Sequence, residues 1–243
     1  MSRGRVGLMV IALVSLAIGP AQPALPATIA SPSTSYWPPP VLSRERAVIE
    51  TVRIDSRGGG AFDTGTGVAV GANVVLTNRH LTTDPVTLVT ACGNQLRAVD
   101  RIELAAGGVD VAAVVSPGSS LLPVQLADHD PVAGDAVTMV GYPGGDLRLT
   151  QGRVEGTLDQ PEGRVLRFSP EPSAGQSGSP LLDADGRLAG LVFAQEAVGG
   201  QGLAIPASRL RSLLEQFIAH GVPVAPLDTG DPASVRARSS PCN

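Results

Sequence analysis

The chain has 243 residues, 43% hydrophobic and 16% charged, which excludes a disordered polymer and suits one domain of about 200 residues, or two small ones, behind a short leader. Twenty-nine Gly and 21 Pro with only 3% aromatics point to many turns between strands of small residues, hence a β-rich fold. All 18 basic residues are Arg, and with 22 acidic residues the net charge is −4 with no basic cluster in the body, so nucleic acid is not an expected partner.

The N-terminus reads as a secretory signal over residues 1–30. Arg3 and Arg5 form the basic end, Val6 to Gly19 is an apolar run, and Ala21, Ala27 and Ala30 each offer a cleavage point. That run would rise only about 21 Å as a helix, short of the roughly 30 Å hydrocarbon core, so no stable membrane anchor is expected. The expected location is secreted or in the cell envelope. Export also bears on Cys92 and Cys242: too few and too widely spaced for a zinc site, they are expected to pair in an oxidising compartment. Their bridge would close a loop of about 150 residues and contribute at most roughly 5 kcal/mol.

Residues 31–44 hold Pro38-Pro39-Pro40 and read as an extended linker. Short apolar runs broken by Gly, Asp and Pro follow. Strands are expected over Thr66–Val70, Val74–Thr77, Val86–Thr90, Val111–Val115, Ala136–Val140 and Leu188–Ala194. Asp185-Gly186 between Leu181-Leu182 and Leu188 signals a hairpin. A single helix is expected late, capped by Ser208, with Leu210, Leu213, Leu214, Phe217 and Ile218 on its apolar face and Gly221 as its stop. The domain is thus expected over 45–222, with a Pro- and Ser-rich tail at 223–243.

Three segments carry candidate chemistry. His80 follows the hairpin Gly65 to Thr77, which would fix it at a strand end as a general base requires. Asp110 opens the apolar strand Val111 to Val114, where it would be partly buried. Ser177 lies in Ala174-Gly175-Gln176-Ser177-Gly178-Ser179-Pro180, whose glycines permit a tight turn that exposes the hydroxyl and aims backbone N–H groups at one point. Each pattern alone is also met in ordinary loops. Their order, His, Asp, Ser, is that of the chymotrypsin triad rather than of subtilisin or the α/β-hydrolases.

With these segments in view, the chain resembles trypsin-like (chymotrypsin-fold) serine proteases, most of all the bacterial HtrA/DegP-like branch. Leu76-Thr77-Asn78-Arg79-His80 is similar to its T-N-x-H block, and Asp110-Val111-Ala112-Ala113-Val114 to its D-x-A-x-x strand. Gly134-Asp135 with Val140-Gly141-Tyr142-Pro143-Gly144, Gln151-Gly152-Arg153-Val154 and Gly202-Leu203-Ala204-Ile205-Pro206 follow in the same order. The resemblance implies an all-β fold of two six-stranded antiparallel barrels with a C-terminal helix. It implies a serine endopeptidase acting on protein or peptide substrates, without metal or other cofactor. His80, Asp110 and Ser177 would be catalytic, the N–H groups of Gly175 and Ser177 would form the oxyanion hole, and Phe193-Ala194-Gln195 would pair with the substrate strand.

The departures matter as much. Gln176 stands where zymogens of the trypsin type carry an Asp that pairs with a freed N-terminus, so that activation is not expected. Ser179 replaces the usual second Gly, Val192 takes the position of the His that reads Glu substrates, and Leu81 replaces a Cys. Phe193 occupies the place of a Ser or Thr that bonds the catalytic Asp, which implies low intrinsic activity. Glu171, six residues before Ser177, could favour Arg or Lys at P1, although Pro170 and Pro172 beside it favour a solvent-facing Glu. Gly202 would leave the pocket wall open and Gln195 would narrow it. No PDZ module is expected after the helix, and a monomer is favoured. Two other readings stand: a trypsin-fold binding protein of little activity, and an α/β-hydrolase. The second suffers because Ser179 holds the last Gly position of G-x-S-x-G and its base would have to be His220 on a helix.

Overall fold

Among the described residues, small β-branched runs punctuated by Gly and Asp fold into twelve strands and a C-terminal helix. The computed structural model describes residues 47–225 apart from 49, 59–60, 97–98 and 197–198. The expected leader and linker, and the expected tail beyond Ala225 with Cys242, lie outside the described residues, so the pairing of Cys92 falls outside them too.

In the N-terminal half, β1 (Thr51–Gly58), β2 (Ala61–Gly71), β3 (Val74–Thr77), β4 (Val86–Val89), β5 (Arg101–Leu104) and β6 (Ala112–Val115) form one antiparallel sheet. Its order is β4–β1–β2–β3–β6–β5. In the C-terminal half, β7 (Ala136–Gly141), β8 (Arg148–Gln160), β9 (Gly163–Ser169), β10 (Pro180–Leu182), β11 (Leu188–Gln195) and β12 (Gly202–Pro206) close into a barrel in the order β10–β11–β12–β9–β8–β7. Pairs Met139↔Leu181 and Thr138↔Leu182 shut it. The trypsin-like double barrel is therefore present, with its first member a half-barrel. The free edge of β4 is taken by its own chain: the Leu96 N–H donates to Leu88 O, and Val89 bridges Gln95. That blunts the edge that β5 would need for closure.

Three cores follow from the strand alternation. Val52, Ile54, Ala69, Val75 and Val114 cluster on one face of the first sheet. Val137, Met139, Leu166, Phe168, Leu181, Val192 and Ala204 fill the barrel. A third, larger cluster lies between the halves, where Val68, Val70, Val74 and Leu76 meet Leu188, Leu191, Ile205 and the helix. Strands β2, β3, β11 and β12 are thus buried on both faces, neighbouring residues pointing to different cores.

The helix, α1 (Ala207–Ala219), buries Leu210, Leu213, Leu214 and Phe217. Two expectations for it need correction. Ser208 is not its cap: the helix begins at Ala207, with Pro206 at the cap position and no side-chain cap bond. Asp130 does the capping from a distant loop, accepting the Ser208 N–H at 2.7 Å and the Ser208 hydroxyl at 2.6 Å. Ile218 lies outside the buried face and is 44% exposed. Gly221, at φ +79°, ends the helix as expected, and the Val222 N–H closes on Phe217 O at 2.9 Å. The chain then returns to β2, the Ala225 N–H donating to Val70 O at 2.9 Å.

Candidate active site

Beyond β3, one 3-10 turn, Arg79–Thr82, carries His80. Leu81 beneath it fills the space that a side chain at Gly65 would need, which seats the turn on β2. Asp110 stands two residues before β6. Its backbone carbonyl accepts the Asn78 side-chain N–H at 2.9 Å, and Asn78 is fully buried. Both oxygens of the Asp110 carboxylate face His80: Oδ1 accepts the backbone N–H at 3.0 Å, and Oδ2 lies 2.7 Å from Nδ1. A carboxylate accepts and does not donate, so in the neutral imidazole Nδ1 carries the proton and Nε2 is left as an acceptor. The imidazole is 47% exposed and open to a reactant.

Ser177 sits half-buried in the turn between β9 and β10. Gly175 and Gly178 take φ of +94° and +80°, values that strain any residue with a Cβ. The Gln176 N–H closes the turn on Ser173 O at 3.0 Å, and the Ser179 N–H bonds Gln176 O at 3.1 Å. The N–H groups of Gly175 and Ser177, on either side of Gln176, donate no hydrogen bond among the described residues. Two neighbouring donors are thus left for something else. Gln176 itself is 3% exposed, and its Oε1 accepts both the N–H and the hydroxyl of Ser173, at 2.8 and 3.0 Å. The carboxamide therefore secures the turn locally where a zymogen-type Asp would wait for a distant amine.

No hydrogen bond joins Ser177 Oγ to His80 among the described residues. The two segments are connected through Thr66 on β2. Its N–H donates to Ser177 O at 2.8 Å, and its carbonyl accepts the Thr77 hydroxyl at 2.6 Å, three residues before His80. Tyr142, just after β7, completes the junction. Burial pushes its hydroxyl up to about 12, so it stays protonated and donates to Thr51 O at 3.0 Å. Sequence reasoning missed Thr66, Asn78 and Tyr142 as contributors here, and saw in Gln176 only a lost Asp. The signals present were the Gly65-Thr66-Gly67, Thr77-Asn78 and Gly141-Tyr142-Pro143 tripeptide and dipeptide patterns.

The expected substrate-binding residues divide. Phe193 is the extra residue of a β-bulge, unpaired between Val192↔Ala204 and Ala194↔Leu203, and its ring packs on the core between the halves. Ala194 is half-buried and Gln195, opposite Gly202, is exposed. Past Leu191 the side of β11 toward β10 has no strand partner among the described residues, although Val192 still exchanges bonds with Gly178 and Ser179. Glu171 is exposed, its carboxylate beside Gly200. At Gly202 a side chain would run into the Phe168 ring, which already fills that space. No group of three His, Cys, Asp or Glu side chains among the described residues could hold a metal.

Residues 65–191 match the family model of the trypsin-like peptidase domain, a little over half of the chain. The fold is similar to that of the serine endoprotease from Yersinia pestis, with a TM-score of 0.65 at 22% identity over 75% of this chain and 67% of that one. It is also similar to the active form of the Rv3671c protease from M. tuberculosis, with a TM-score of 0.64 at 24% identity over 82% and 93%. The HtrA-type protease AlgW gives a TM-score of 0.63 at 24% identity over 76% of this chain and 65% of its own. The family match, on a half-barrel and barrel with His80 against Asp110 and Ser177 in a glycine-flanked turn, means that the chain belongs to the trypsin-like peptidase family of serine endopeptidases.

Proposed function

We propose that the protein is an exported serine endopeptidase that cleaves peptide bonds through His80, Asp110 and Ser177. The observation that carries this reading is the double contact of the Asp110 carboxylate with His80, at 3.0 and 2.7 Å. It leaves Nε2 free to take the Ser177 proton as Oγ attacks the carbonyl, and to return that proton to the leaving amine. Asp110 holds the tautomer and stabilises the imidazolium. The uncommitted N–H groups of Gly175 and Ser177 hold the oxyanion, each such donor being worth about 3–4 kcal/mol. The unpartnered edge at Phe193–Gln195 takes the substrate backbone as an added strand. Export rests on the signal-like residues 1–30, and in that setting Cys92 and Cys242 pair.

Labelling with a fluorophosphonate probe tests the chemistry. Wild type is expected to label and Ser177→Ala to lose the label entirely; absence of Ser177-dependent labelling from pH 6 to 9 would overturn it. Such silence would favour a fold retained for binding, the reading to which Phe193 in the place of a hydroxyl residue points. For export, the N-terminus of the secreted protein is expected at Gln22, Thr28 or Ser31, and an intact Met1 outside the cell would refute it.

A further inference from the structure

Thr66 occupies the junction of the two halves with every polar atom engaged. It is fully buried, on β2 opposite Arg53 of β1. Its N–H bonds Ser177 O at 2.8 Å, and its carbonyl accepts the Thr77 hydroxyl at 2.6 Å. Its own hydroxyl donates to Gly175 O at 2.7 Å and accepts the Tyr142 N–H at 3.1 Å. One β-branched side chain of the first sheet thus reaches across to the turn that carries the nucleophile and to the segment after β7. Space around it is tight, because a side chain at Gly178 would overlap the Thr66 carbonyl and one at Gly175 would overlap Tyr142 O.

The bond to Gly175 O has a particular consequence. Gly175, at φ +94°, shares with Gly178 the widest conformational freedom in the turn, and its N–H is one of the two uncommitted donors. The peptide that follows it is held at both ends: its carbonyl by Thr66, and its N–H, on Gln176, by Ser173 O at 3.0 Å. Anchoring that peptide restricts rotation about the Gly175 Cα–C bond. The Gly175 N–H belongs to the peptide before it, and with one side of the glycine anchored that donor has a narrower range of directions open to it. Released from Thr66, the glycine could rotate and turn that donor away.

We propose that Thr66 is a positioning residue for the oxyanion donors, its hydroxyl holding the Gly175 peptide so that the Gly175 and Ser177 N–H groups stay aimed together. The proposal rests on the reading of these donors given above. Valine keeps the β-branched shape and strand preference of threonine and puts a methyl in place of the hydroxyl, so Thr66→Val removes the bond to Gly175 O together with the acceptor for the Tyr142 N–H, while Thr66→Ser keeps both.

The test is the time course of fluorophosphonate labelling of wild type, Thr66→Ser, Thr66→Val and Ser177→Ala from pH 6 to 9. Thr66→Val is expected to label about 10- to 100-fold more slowly, to react to full final amplitude, and to keep the wild-type midpoint of the pH profile; a whole oxyanion donor is worth about 100- to 1,000-fold. Thr66→Ser is expected within about threefold of wild type. A merely structural role would lower the labelled fraction at an unchanged rate, and an effect acting through His80 would move the pH midpoint; either result overturns the proposal. So does a wild-type rate in Thr66→Val, or a Thr66→Ser as slow as Thr66→Val. If wild type itself shows no Ser177-dependent labelling, the reading of the site falls and the proposal with it. Labelling of wild type with an unaffected Thr66→Val sinks the proposal alone.

Discussion

Behind the nucleophile turn, Ser179 Oγ is buried without a hydrogen-bond partner among the described residues, and it fills the space that a side chain at Gly141 would need. The hydroxyl therefore acts there as volume, carrying the penalty of an unsatisfied polar atom. Gly141→Ala is expected to destabilise the fold by about 1–3 kcal/mol through overpacking. In a Ser179→Gly background that cost should shrink by about 1 kcal/mol or more, because the two positions share one space. Urea unfolding of the four proteins measures the coupling, and strictly additive costs would show that Gly141 is constrained by something else. Residues of this kind mark the limit of what the sequence discloses about the site. His80, Asp110 and Ser177 are legible because the chemistry restricts their types and order and because small residues flank them. Thr66 and Tyr142 are not, because their role is a set of contacts across the chain. Thr66 and Gly175 are 109 positions apart and Thr66 and Tyr142 are 76 apart, and no local pattern encodes such a meeting.

Among the secondary-structure elements, several of those expected from sequence are strands buried on both faces. Strands β3, β6 and β11 read as continuous apolar runs because alternate residues point into different cores. Strand β8, with thirteen residues the longest of the barrel, is signalled only by the resemblance at Gln151–Val154 and not by its apolar pattern, because it is largely exposed and only Val154 along it is buried. The start of α1 is misread for a related reason, since its cap is tertiary. Asp130→Ala removes both bonds to Ser208 and is expected to cost about 1 kcal/mol, in the range of an N-cap loss, measured as a lowered urea midpoint with unchanged slope; Ser208→Ala keeps the backbone bond and should cost less. The β10–β11 hairpin carries a pH signature. Burial raises Asp183 above the ordinary carboxylate range, against the opposing N–H bonds of Arg187 and Asp185. The folded state then holds that proton to higher pH than the unfolded chain, so stability falls as pH rises through this window and the loss persists at neutral pH. Asn retains the Oδ1 acceptor and has no charge to bury. Asp183→Asn should therefore be more stable than wild type at pH 7, with the difference vanishing as pH drops below the carboxylate range. A difference independent of pH would exclude burial of the charge as its cause.

The two halves have cores of their own, yet the largest cluster belongs to neither. Val68, Val70, Val74 and Leu76 from the first sheet, Leu188, Leu191 and Ile205 from the barrel, and Leu210, Leu214 and Phe217 from α1 bury one another. Separating the halves would expose all of them at once, while also breaking the bonds of Thr66 to the nucleophile turn and that of the Tyr142 hydroxyl to β1. The helix reinforces this from outside: His220 at its end lies 2.9 Å from Glu103 on β5, and Arg101 reaches the His220 carbonyl at 3.1 Å. Such an arrangement makes each half a condition of the other's stability, and the candidate site, lying where they join, shares that condition. Phe217, 1% exposed in the shared cluster, is the place to test it. Phe217→Ala is expected to cost about 3–5 kcal/mol, and to lower the protection of the slowest-exchanging amides of β1–β3 and of β7–β9 by the same amount in hydrogen exchange. If the amides of β7–β9 lose protection while those of β1–β3 keep the wild-type value, the halves open separately, and the site would then be assembled by docking of two independently stable bodies rather than by one folding event.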